Sequence, residues 1–154
     1  MTKIFIITFL LFAATTFSQT KGRLPNKTIK DTIFSKGDII KIPELIYQHS
    51  FPIGKETMDS LIPVANFLKR FPNLKVEIGC HTDSRGDADG NNRLSEFRAK
   101  HVLEVLVIHH GIDASRITCK SYGESAPIIA DKEILKAKTD KDKAKLYAIN
   151  RRTE

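Results

Sequence analysis

Val76-Glu77-Ile78-Gly79-Cys80-His81-Thr82-Asp83-Ser84-Arg85-Gly86-Asp87-Ala88-Asp89-Gly90-Asn91-Asn92-Arg93-Leu94-Ser95-Glu96-Phe97-Arg98-Ala99 is the stretch in which the period of the chain changes. Val76, Ile78 and Cys80 alternate with Lys75, Glu77 and Gly79, the pattern of a half-buried strand. Residues 81–92 are almost all turn formers. From about Leu94 the apolar residues recur at helical spacing as far as His110, where Gly111 offers a stop. A strand, a polar turn and an amphipathic helix in direct succession predict an α/β unit with an exposed loop at the strand's end.

Working outward, Ile117 and Cys119 mark a further strand before Tyr122 and Gly123, and residues 131–148 predict a third, highly charged helix. Upstream, Leu61, Val64, Ala65, Leu68 and Phe71 recur every three or four residues and end at Pro72. Pro63 belongs in the first turn of that helix, where its missing N–H breaks no backbone bond. Ile39, Ile40, Ile42, Leu45, Ile46 and Tyr47 predict one more strand, ending near Tyr47 and interrupted by Pro43. The expected fold class is therefore α/β of the α+β type, a two-layer sandwich with a mixed sheet. Its β-α-β-α-β core carries an extra C-terminal helix, and a short last strand is left open because the sequence stops at Glu154.

The 154 residues suit one domain, with 41% hydrophobic and 28% charged residues, ordinary values that exclude a disordered or fibrous chain. Lys3 followed by an uncharged run from Ile4 to Phe17 reads as a secretory signal, too short to span a bilayer and cut after Ser18. No cysteine follows that run, so no lipid anchor is expected. The predicted organisation is a signal peptide over 1–18, a linker or N-terminal arm over 19–37, and one domain over 38–154. The full chain carries +7; removal of 1–18 loses one Lys and no acid, leaving +6. That charge suits an anionic partner without selecting one.

Helical placement puts Arg98 among Leu94, Val102 and Val105, while Arg93, Glu96, Lys100 and Glu104 share the opposite face. Two readings follow. The aliphatic stem can lie along the core with its head in water, or the guanidinium can await a carboxylate, which an Arg fork grips with two bonds. Asp83, just beyond a strand's end, stands where α/β proteins often bind ligands. Asp83 and Arg98 together suit a zwitterion, and they equally suit a plain salt bridge.

The segments 76–86 and 91–99, with Gly111-Ile112-Asp113, Arg116-Ile117, Tyr122-Gly123-Glu124 and Asn150-Arg151-Arg152, closely resemble the OmpA-like carboxy-terminal domain. The resemblance covers roughly 38–154. It implies noncovalent binding of peptidoglycan through the diaminopimelate of the stem peptide, in the periplasm and in association with the cell wall or outer membrane. It assigns the gripping pair to Asp83 and Arg98 and the pocket lining to Asn91, Arg151 and Thr82. Cys80 and Ser121 stand where the family usually has glycine. Arg85, in the same loop as Asp83, has no matching family role and is expected to act only through its charge.

Three other readings bear on function. A structural or partner-binding subunit of an outer-membrane or envelope complex would keep the fold without strong wall binding. An enzyme would need His81 and Asp83 to converge with His109, His110 and Asp113 at the helix's far end, so no catalytic residue, metal or cofactor is expected. No nucleic-acid partner is expected either, since no aromatic ladder accompanies the lysines. Cys80 and Cys119 share the apolar parity of their strands and form a candidate disulfide in an oxidising compartment, with two buried thiols as the alternative.

Overall fold

The computed structural model describes residues 25–42 and 55–154. In chain order the elements are α1 (Lys55–Ser60), α2 (Ile62–Arg70), β1 (Val76–His81), α3 (Ala88–Glu104), β2 (Ile117–Gly123), α4 (Asp131–Ile134), α5 (Asp140–Asn150) and β3 (Arg152–Thr153). Beyond Glu104 the helix widens into a π-helical turn, Val105–His109, which Gly111 ends at φ 67°. The mixed sheet has the order β2-β1-β3, with β1 parallel to β2 and antiparallel to β3. It is an α+β fold, and its short closing strand is present although only two residues long.

Helices pack on the sheet because each contributes one apolar stripe. Leu61, Val64, Ala65, Phe67 and Leu68 from the α2 region meet Ile78, Cys80, Ala99, Val102, Val105, Leu106 and Ile117 in one buried cluster. Pro63 sits in the first turn of α2, as its chemistry requires. Arg116 secures the other end of α2, donating Nη2 to the carbonyls of Leu68 and Phe71 at 2.9 and 2.7 Å, and Nε to that of Leu74 at 3.1 Å. The Leu68 carbonyl is one of those a helix end leaves without an intrahelical donor, and the same guanidinium ties it to the turn that follows, where the Leu74 N–H also donates to the Phe71 carbonyl at 3.1 Å.

Half of the strand expected over 38–47, residues 43–47, lies outside the described residues. Residues 39–42 carry one isolated bridge, Lys27 to Ile40, and the Ile42 N–H donates to the Thr153 carbonyl at 3.0 Å. Residues 25–37 pack against α2: Phe34 meets Phe67 and Phe71 edge to face at 5.2 and 5.4 Å, and Arg70 donates to the carbonyls of Ile29 and Asp31 at 3.0 Å.

Two helix expectations are corrected. The helix expected to open near Leu94 begins at Ala88, because Asp87 caps it with a 2.7 Å bond from the Gly90 N–H. The single helix expected over 131–148 is two, α4 and α5, since Thr139 caps a new start: its Oγ1 accepts from the Asp142 N–H at 3.1 Å and donates to the Asp142 carboxylate at 2.7 Å. A segment with so many lysines offers no apolar stripe that could hold one long helix on the core.

Candidate functional site

β1 ends at His81, and the chain turns at once through Thr82, Asp83, Ser84 and Arg85 to Gly86, whose φ of 105° closes the turn. The Thr82 N–H donates to the Gly123 carbonyl at 2.8 Å, so the turn leaves the sheet beside the end of β2. Asn91, in the first turns of α3, donates its amide to the backbone carbonyl of Asp83 at 3.1 Å and also to the Glu124 carboxylate. One side chain thereby joins the β1 turn, the β2 exit and the opening of α3. Ser95, one turn further along, accepts from the Gly123 N–H at 3.0 Å. Gly123 sits at φ 49°, and a Cβ there would collide with the Asn92 side chain, so this close approach requires glycine.

The Asp83 carboxylate is 6% exposed and surrounded by donors. Arg85 reaches it with Nε at 3.1 Å and Nη2 at 2.9 Å, and with its own N–H at 3.1 Å. Arg151, delivered by the end of α5, donates Nη1 to Oδ2. Burial pushes the Asp83 pKa up, but the bonds from Arg85 and Arg151 outweigh it and hold the group down at about 2. Asp83 is thus an ionised carboxylate at neutral pH.

Arg98 lies on the same face of α3 as Asn91, two turns away, and is 8% exposed. The placement of its stripe is corrected. Asn91, Ser95, Arg98, Ala99 and Val102 are buried, whereas Leu94 is 41% exposed. The buried stripe is centred roughly 40° to the Ser95 and Ala99 side of Arg98, so Arg98 stands at its edge and Leu94 beyond it. Thr82 is buried, and its Oγ1 has no hydrogen-bond partner among the described residues.

The Asn150-Arg151-Arg152 run divides its work. Asn150 is buried and holds Ile129, Arg151 faces Asp83, and Arg152 is buried with bonds to the Glu154 carboxylate and to the carbonyls of Asn150 and Ala126. Arg85, expected to act only through its charge, is instead the principal partner of Asp83. Its i, i+2 spacing across a tight turn was a readable signal for that pairing. Glu124, bonded to Asn91, lacked any local signal.

His81 stacks face to face on Tyr122, rings 4.5 Å apart, and its Nε2 lies 3.1 Å from Glu154 Oε1. Burial pushes its pKa below the usual value. His110 bonds the Met58 carbonyl through Nε2 at 3.2 Å, and among the described residues no group of three His, Cys, Asp or Glu side chains could hold a metal ion. The candidate disulfide is not formed. Parallel register sets Cys119 opposite Ile78 and Cys80 opposite Ser121, and the two are not joined in a disulfide. Cys119 Sγ donates to the Ala99 carbonyl at 3.3 Å, and Cys80 Sγ lies 3.3 Å from Thr153 Oγ1.

Comparison with known proteins adds a family and a set of relatives. Residues 47–141 match the family described as the OmpA family. Outer membrane porin F of Pseudomonas aeruginosa is 37% identical over 91 residues, covering 59% of this chain and 23% of the porin. The peptidoglycan-associated lipoprotein of Legionella pneumophila is 35% identical over 75 residues, covering 49% of this chain and 42% of that protein. The chain therefore spans less than half the length of these relatives. Among solved structures, the peptidoglycan-associated lipoprotein from Burkholderia pseudomallei superposes with a TM-score of 0.52 at 24% identity, covering 69% of this chain and 80% of that one. That likeness concerns the fold.

Proposed function

We propose that this chain, which belongs to the OmpA family, binds peptidoglycan noncovalently as a module of the bacterial cell envelope. The diaminopimelate of the stem peptide is the group it grips. The carrying observation is a buried carboxylate, Asp83, kept ionised at the mouth of the β1 turn by cations from two separate parts of the chain. The free end of diaminopimelate carries an ammonium and a carboxylate on one carbon. The ammonium goes to Asp83 and the carboxylate to Arg98, whose planar fork suits two oxygens. Asn91 holds the Asp83 turn against α3, Arg151 lines the pocket, and the unsatisfied Thr82 hydroxyl supplies a further polar contact. A buried hydroxyl without a partner is costly, and a polar ligand beside it removes that cost.

Sedimentation with diaminopimelate-type sacculi tests the reading. Losing a charge-assisted pair in a partly buried pocket costs about 2 to 5 kcal/mol, or roughly thirty-fold or more in affinity. Asp83→Ala and Arg98→Ala are each expected to abolish co-sedimentation, and Arg98→Lys to restore little, because it offers a point charge in place of a fork. Lys69→Ala, exposed on α2, removes the same charge away from this turn. Equal losses in Lys69→Ala and Arg98→Ala, together with complete release by salt, would show general basic attraction and refute the pocket.

A further inference from the structure

Asp83 is not waiting with a free face. Arg85 covers both of its oxygens, and this guanidinium is the outermost layer of the site: the Arg85 side chain is 56% exposed, that of Arg151 39%, and that of Asp83 6%. Arg85 has a second attachment, its Cζ lying 4.9 Å from the centre of the Tyr147 ring on α5. The backbone N–H of Arg85 bonds Oδ1 independently of the side chain, so the carboxylate keeps that support when the guanidinium leaves.

Resting on the wall-binding reading, we propose that Arg85 sets the specificity of Asp83 by ion-pair exchange, admitting an ammonium only when it comes with a carboxylate. A cation reaching Asp83 must break the Arg85 fork. A lone ammonium, such as the side chain of a lysine-type stem peptide, takes the carboxylate and leaves a guanidinium with no anion. A zwitterionic end takes the carboxylate with its ammonium, and its own carboxylate, gripped by Arg98, offers its outer lone pairs to the released guanidinium as well, so each charge lost is replaced. Tyr147 keeps Arg85 near enough to receive it. Arg85 is thereby a specificity residue, separate from the pair that grips the ligand in the proposed function.

The test is calorimetric titration of the full chain with two soluble stem tripeptides, one ending in diaminopimelate and one in lysine. Wild type is expected to prefer the former. In Arg85→Ala the preference narrows by about three-fold or more, the scale of a partly exposed Arg–carboxylate pair, with the lysine-type peptide gaining affinity. In wild type, the Arg85 Nε–H resonance is expected to shift on adding the diaminopimelate peptide. An unchanged preference in a folded Arg85→Ala overturns the exchange, as does a loss for the diaminopimelate peptide as large as that in Asp83→Ala, which would make Arg85 part of the grip itself and not a selector. Failure of the underlying reading looks different: wild type then binds neither peptide, or Asp83→Ala binds as wild type does, and the exchange falls with it.

Discussion

Asn150 holds both backbone groups of Ile129, donating Nδ2 to its carbonyl at 2.8 Å and accepting from its N–H at 2.9 Å. The pair ties the end of α5 to the segment after β2, and the next residue, Arg151, then points at Asp83. Arg152 adds a bond to the Ala126 carbonyl from the same end. A side chain 1% exposed therefore positions a cation it does not touch.

Removing that amide should be expensive. Asn150→Ala leaves two backbone groups of Ile129 without their partners, at a cost of about 1 to 3 kcal/mol, read as a lower midpoint in urea unfolding at unchanged slope. An unchanged midpoint would show that solvent replaces both bonds.

The ionisation of Asp83 sets a stability window. Its pKa in the folded chain is about 2, below the ordinary 3.8, so its contribution is complete above 3.8 and is lost as pH falls toward 2. The expected loss is on the order of 1 kcal/mol, reduced from the full shift because Arg85 is exposed to screening. Carboxyl resonances followed by NMR should titrate near 2 in wild type and higher in Arg85→Ala. A midpoint unaffected by that substitution would assign the depression to Arg151.

Both cysteines should remain thiols. Counting under denaturing, nonreducing conditions is expected to give two, because the register of β1 and β2 offsets Cys119 from Cys80 by two positions. A count of zero in monomeric protein would mean that the sheet shifts in solution.

Export is the fourth expectation, and we propose it from Lys3 and the uncharged run that follows. Intact-mass measurement on the protein from its native envelope should show a chain beginning at Gln19. Recovery of a species retaining Met1 and the whole run would overturn it.

Much of the fold was legible locally. Alternation through Val76, Ile78 and Cys80 marks β1, the spacing from Leu61 to Phe71 marks α2, and Gly111 marks the end of the long helix. Arg98 stood out because a charge among apolar residues needs a partner, and Asp83 because it stands just beyond a strand's end. The Asp87 and Thr139 caps were equally local but lay inside runs of polar residues, where a cap looks like any other turn former.

Residue order alone determined the alternation of β1, the apolar spacing of α2, and that an arginine among apolar neighbours and a carboxylate at a strand's end belong to the same stretch. Tertiary structure alone decided what those charges meet. Arg151 reaches Asp83 across 68 positions of sequence because β3 pairs antiparallel with one edge of β1 while β2 occupies the other. The same register parts Cys80 from Cys119 and sets Glu124 against Asn91. The physical reason is one of range: periodicity reports the burial of each element on its own, whereas an ion pair or a disulfide depends on the register between elements, which is settled only when the sheet and its helices pack together.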